Sequence, residues 1–213
     1  MKYSLQLSLF IVLALSFSFL NGQNWTNWRG PNFNGSSTTP ESLPVKFDLK
    51  KGVKWKNELP GPSASTPIIT DQYVFISSIK VIDEKSGSGE LLAICYDRQT
   101  GDLNWKRTAG SGYRPGNNDG FDYQLDSRSN YASPSPVTDG ERVIFFYGNG
   151  DLVSYLMNGS EEWRRNIQKE YGDFCFQWTF SSSPTLFKNK LYLPVLQRNE
   201  MVHGRGKDKQ EIG

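Results

Sequence analysis

The chain is poor in the residues that most metal sites and catalytic triads need. It has one histidine, His203, and two cysteines, Cys95 and Cys175, in 213 residues. A single imidazole excludes any metal site built on a histidine cluster and leaves little for a histidine-based triad. Charge of one sign is also missing. Lys and Arg number 24 against 22 Asp and Glu, a net charge of +2, which excludes a broad electrostatic nucleic-acid footprint. No stretch sustains an apolar period of 3.6 residues, so long amphipathic helices are absent from the expectation. Glycine and proline, 20 and 11, are too few for a collagen or linker chain, and 14% aromatic residues exclude a disordered one.

The one long hydrophobic run is LSLFIVLALSFSFL, 14 uncharged residues at 7–20. It falls short of the ~20 residues of a membrane span and suits the h-region of a signal peptide behind Lys2. The reading is a signal peptide over 1–22, cleaved near Gly22–Gln23, and an exported domain over 23–213, periplasmic or extracellular. An uncleaved anchor is the alternative. No cysteine lies near the cut to carry a lipid. Export permits a Cys95–Cys175 disulfide, and two buried free thiols in apolar strand contexts are the equal alternative.

What is present is a series of short β-branched and aromatic runs between Gly, Asp, Asn and Pro turn signals, an all-β pattern. Two signals recur in order. A small-polar/Pro pair precedes a tight turn and a strand at 65–77, 133–147 and 181–195. A glycine stands shortly before a tryptophan in GVKW, GDLNW and GSEEW, which places Trp55, Trp105 and Trp163 roughly 50 residues apart, with Gly101 and Gly159 in the turns. That period, with four short strands, describes a blade of a β-propeller. Blade one reads as strands 65–70, 73–79, 90–96 and 102–107, and blade two as 133–138, 142–147, 151–156 and 161–166. Blade three begins at 181–187 and 190–197, and 53–59 reads as an outer strand with no inner partners upstream. The flat tryptophan fills the gap between stacked sheets, and its glycine takes positive φ in a hairpin. Asn158-Gly159 suits a type I′ turn.

Connection lengths pick out one face. The A–B and C–D turns are tight, whereas the D–A connections (108–132 and 167–180) and the B–C connection 80–89 are long. In an up-and-down meander the long ones gather on a single face, often the binding face of repeat proteins. Arg128, Asn130, Tyr131, Tyr171 and Trp178 are the candidate binding residues there. Aromatics beside mixed charges suit a planar or sugar-like ligand, or a protein partner. The alternative is that these loops only cap and solvate the blades.

The repeat, together with NWTNWRGPNFNGSS at 24–37, resembles the PQQ-like β-propeller repeat family on Trp25, Trp28, Arg29, Gly30, Pro31 and Asn32. Segments 131–143 and 169–184 are similar too, and the resemblance spans 24–205. It implies a propeller of seven or eight blades, of which about three and a half are present here, the N-terminal part. Closure then needs further blades or a second copy. It also implies an exported non-catalytic binding or scaffold module, similar to the propeller that serves outer-membrane β-barrel assembly, with no cofactor.

The alternative within that family is a quinoprotein dehydrogenase holding pyrroloquinoline quinone (PQQ) and Ca²⁺, with Trp178, Asp119 and Asp122 as its nominated residues. Against it, the adjacent cysteine pair of many quinoprotein alcohol dehydrogenases is absent. The sequence at 117–120 also fails the Ca²⁺-loop spacing, since Pro115 takes position 1. A hydrolase has less support. Glu161 and Glu162 are adjacent and face opposite sides of a strand, and His203 sits in a Gly-rich tail. The sequons at Asn24, Asn34 and Asn158 matter only in a eukaryotic secretory route, and turn geometry explains Asn158.

Overall fold

The computed structural model describes residues 23–38, 45–46, 48, 50–83, 88–112, 130–172, 174 and 180–195. Two four-stranded antiparallel sheets follow one another, each a plain meander. The first runs β1 (Ile68–Ile69), β2 (Tyr73–Asp83), β3 (Ser88–Asp97), β4 (Leu103–Ser111). The second runs β5 (Val137–Thr138), β6 (Arg142–Phe146), β7 (Asp151–Leu156), β8 (Glu161–Asn166). After the short helix α1 (Ile167–Tyr171), β9 (Thr185–Phe187) and β10 (Lys190–Tyr192) form a third antiparallel pair. The architecture is all-β and propeller-like, an incomplete propeller among the described residues.

Side-chain alternation explains why these sheets stack. A sheet covered on both faces reads as a continuous apolar run. In β3, Leu91 through Tyr96 are all buried. Leu91, Ala93 and Cys95 enter the core between the first and second blades, while Leu92, Ile94 and Tyr96 enter a second core on the opposite face. The middle strand β6 divides the same way. Val143 and Phe145 face blade one, and Ile144 and Phe146 face blade three. Trp55, Leu59, Ile69 and Ile76 pack against the outer core of blade one.

Several details differ from the sequence reading. The innermost strands are two or three residues long, because the Ser/Pro segments before them lack the donors and the regular backbone of a ladder. Residues 53–59 form no strand. Their tryptophan still covers blade one, so packing there does not require ladder pairing. The connection at 80–89 is largely a hairpin extension, since Lys80 pairs with Glu90 and Val81 with Gly89. The Asn158-Gly159 turn is not type I′, which needs positive φ at both residues. Gly159 has φ +82° but Asn158 is not left-handed. The Gly159 N–H donates to Leu156 O (2.8 Å), and the register slips between Ser154 and Tyr155. This is a three-residue loop closed by a left-handed glycine.

Candidate functional site

The tryptophans of the repeat are docking pins. Trp55 lies flat on Gly101, so close that a Cβ there would sit 2.7 Å from the ring, and its Nε1–H donates to Arg98 O at 2.9 Å. Trp105 does the same one blade later, with Gly159 at 2.7 Å and Met157 O at 2.9 Å. Two residues beyond each tryptophan, a side chain donates to the glycine carbonyl. Asn57 serves Gly101, and Arg107 serves Gly159 at 2.9 Å. Gly101 and Gly159 have φ of +80° and +82°, so glycine is required both for the backbone and for the close approach. Trp105 also touches Phe75, Phe145 and Tyr155 at centroid distances of 5.9, 6.4 and 5.6 Å. Trp163, the third of the series, packs against the blade two–blade three core.

The recurring small-polar/Pro signal has its own job. The Thr66 N–H donates to Ser135 Oγ (2.8 Å), and the Ser135 N–H donates to Ser183 Oγ (2.9 Å). Each inner segment is thus stapled to the next blade by a hydroxyl. Inside this ring lies the N-terminal segment. Trp25 pairs with Ile69 through two backbone bonds of 2.7 and 2.8 Å, and Thr138 N–H donates to Thr26 O at 3.0 Å. Trp25 stacks on Gly30 (φ +71°). That stack turns the following loop so that Trp28 stands 55% exposed, with the Arg29 guanidinium 5.7 Å from its ring centre.

Trp28, Phe180 and the hydroxyl-bearing Ser133, Ser135, Ser182 and Ser183 line a pocket of about 730 Å³. It lies where the inner segments begin, at the feet of the two long D–A connections. Its chemistry is an exposed indole beside hydroxyls that both donate and accept, which suits a neutral polar ligand with an apolar face. A second pocket of about 530 Å³ opens on the opposite, tight-turn face beside Asp71, Tyr73 and Asp139.

The predicted binding residues are distributed as follows. Arg128 and Trp178 lie outside the described residues, as do Cys175, Asp119, Asp122 and His203. Asn130 is buried, and its Oδ1 accepts from Ala132 N–H at 2.8 Å, forming a local turn. Tyr131 is half-buried against Gly112, where a Cβ would come within 2.8 Å of its ring. Tyr171 is exposed on α1, and its hydroxyl accepts from Arg165 Nη2 at 3.0 Å. None of these three lines the serine-rich pocket.

An amide cluster that the sequence reading missed anchors the long-loop face. Asp151 accepts from Asn149 and Asn166, both at 2.8 Å, and Gln168 Nε2 donates to Asn149 O at 2.8 Å. It ties the blade-two B–C turn to the start of α1. The only signal for it was the Asn149-Gly150-Asp151 turn.

The charged residues of β8 are paired within the fold. Glu161 holds Arg164 at 2.8 Å, and on the opposite face Glu162 holds Arg142 at 3.1 Å. Among the described residues no group of three His, Cys, Asp or Glu is placed to hold a metal ion. Cys95 is a free thiol buried between the blades, and burial pushes its pKa up to about 12, which leaves it inert. No described helix is long and apolar enough to cross a membrane.

Fold and site together define a repeat protein of propeller blades joined by tryptophan docks and serine staples. A scan against models of protein families gives no match, and a comparison with curated proteins gives none. Among solved structures the chain is similar to BamB from Moraxella catarrhalis, at 14% identity and a TM-score of 0.29, over 61% of this chain. The match spans only 40% of that protein's length. It carries no argument about function.

Proposed function

We propose that the chain is an exported, non-catalytic binding or scaffold module that works in the assembly of envelope proteins. The observation that supports this reading is the open pocket of Trp28 and the inner-rim serines at the feet of the long connections. An exposed indole beside hydroxyl groups is binding chemistry rather than bond-breaking chemistry. Tyr131 and Tyr171 form the outer part of the same binding face in this proposal, and Arg128 and Trp178 are its further candidates from the sequence.

The test compares the full chain with Trp28→Ala and Ser182→Trp, the second of which fills the pocket. Both variants keep the melting temperature and lose about tenfold or more in retention of an envelope protein partner. PQQ with Ca²⁺ leaves the melting temperature unchanged. A rise in melting temperature with quinone absorbance, or unchanged retention in both variants, overturns the reading.

A further inference from the structure

The cleft of about 530 Å³ on the tight-turn face takes no part in the reading above. Its lining comes from blades one and two and from the N-terminal segment between them, where Trp25 pairs with Ile69 and Thr26 O accepts from Thr138 N–H at 3.0 Å. The strand registers make Thr70 and Asp139 equivalent turn residues of the two blades. Thr70 Oγ1 accepts from Tyr73 N–H at 3.1 Å, as Asp139 Oδ1 accepts from Arg142 N–H at 2.9 Å. Asp71 therefore stands where blade two has Gly140, and it is not needed to close its turn. It is exposed, and its carboxylate has no hydrogen bond or ion pair among the described residues. Asn24 brings a second unused acceptor. Its Oδ1 is buried without a hydrogen-bond partner among the described residues, so rotation about χ2 turns it toward a donor in the cleft with no hydrogen bond lost.

The charge around the cleft is negative. Arg142 faces three carboxylates, those of Asp139, Glu141 and Glu162, at 3.3, 3.6 and 3.1 Å. Arg98 donates to Thr70 O at 2.9 Å. No described lining residue is a cation, and Tyr73 and Met157 add an aromatic and a thioether wall. We infer that the cleft binds an alkylammonium group, carried by a small aliphatic amine or by a lysine side chain, with Asp71 as its counter-ion and Asn24 as a second acceptor. An ammonium has three N–H donors and no acceptor, the complement of this lining, and its methylene stem packs along Tyr73 and Met157. A divalent metal ion fits less well. It needs several oxygen ligands, and among the described residues no group of three His, Cys, Asp or Glu is placed to hold one. The cleft and the Trp28 pocket share no lining residue, so each reading stands or falls alone.

Titration calorimetry of the full chain at neutral pH, with cadaverine and with Nα-acetyl-lysine amide as probes, tests the assignment. At least one of the two binds, and the lysine derivative acetylated on both nitrogens, with the same stem and no charge, does not. Asp71→Asn keeps the melting temperature, because this side chain holds nothing in its turn, and weakens binding by about tenfold or more. Asn24→Leu weakens it by about threefold or more. Asp102→Asn, at an exposed aspartate outside the cleft, stays within about twofold. Tighter binding of cadaverine supports a free amine as the source of the ammonium, and tighter binding of the lysine amide supports a lysyl side chain. No binding of either amine overturns the inference. So does an affinity unchanged in Asp71→Asn or in Asn24→Leu, or one that falls equally in Asp102→Asn, since the attraction is then that of the general surface charge. Binding of Ca²⁺ alone, lost in Asp71→Asn and without any binding of the amines, overturns it in favour of a metal site.

Discussion

The two interfaces between successive blades are built from the same parts and differ in how fully those parts are joined. Between blades one and two, Trp105 is 5% exposed and Arg107 reaches Gly159. Arg164 Nη1 donates back to Ala109 O, so the outer strands are tied in both directions. Between blades two and three, the core of Ile144, Phe146, Phe174 and Phe180 is formed. Among the described residues its rim is less covered: Trp163 is half-buried, and Arg165 is bound to Glu170 of the adjoining α1. Phe187 and Tyr192 on the third blade remain more than half exposed. A blade's core therefore assembles from its inner two strands, whereas the rim needs the next blade's third and fourth strands, where the glycine turn sits.

The largest effect separates the two tryptophans. Trp105→Ala removes a ring packed on three aromatics together with a part-buried hydrogen bond, and costs about 3–5 kcal/mol in denaturant unfolding. From its described contacts alone, Trp163→Ala costs about 1 kcal/mol. Gly159→Ala comes next. The new Cβ meets the Trp105 ring at 2.7 Å on a backbone at φ +82°, at a cost of about 2–4 kcal/mol. Gly140→Ala is its control. It has φ +95° but nothing within 4 Å, and costs only the backbone strain, about 1–2 kcal/mol.

The serine staples give a smaller effect. Ser135→Ala leaves the Thr66 N–H without its acceptor and costs about 1 kcal/mol, whereas the same change at exposed Ser182 is near neutral. These staples also show what the sequence made legible. The Ser/Pro recurrence and the glycine–tryptophan recurrence were visible as a period, because both side chains recur at a fixed place in each blade. Their partners were not visible, since the backbone N–H that a hydroxyl accepts from and the carbonyl that an indole donates to lie 69 and 52 residues away on another blade. Strand alternation located the middle strands well. It failed for the inner strands, where proline removes donors, and for 53–59, which covers a blade without pairing to it. The pocket at Trp28 was hidden for a different reason. The motif residues that flank it were readable, but the loop direction that exposes the indole is set by the stack of Trp25 on Gly30.

Acid distinguishes the two filled docks. The turn beneath Trp55 is organised by a carboxylate, and the turn beneath Trp105 by an amide, with Asn158 Oδ1 accepting from Ser160 N–H at 2.9 Å. Hydrogen bonds from the Thr100 and Gln99 backbone hold the Asp97 pKa below its usual value. A depressed carboxylate contributes stability that is fully present above the unfolded value, about 4, and is lost as the pH falls through the lower folded value. Protonation removes the charge that those N–H groups favour, so the turn carrying Arg98 O and Gly101 loosens. The Trp55 indole N–H then exchanges faster as the pH drops below about 4, after correction for the intrinsic rate, while Trp105 keeps its protection. Asp97→Asn retains an acceptor without a proton to gain, and abolishes the difference between the two. Parallel loss of protection at both tryptophans would instead place the acid-sensitive groups in the shared core, where Asp97 and Asn158 play no part.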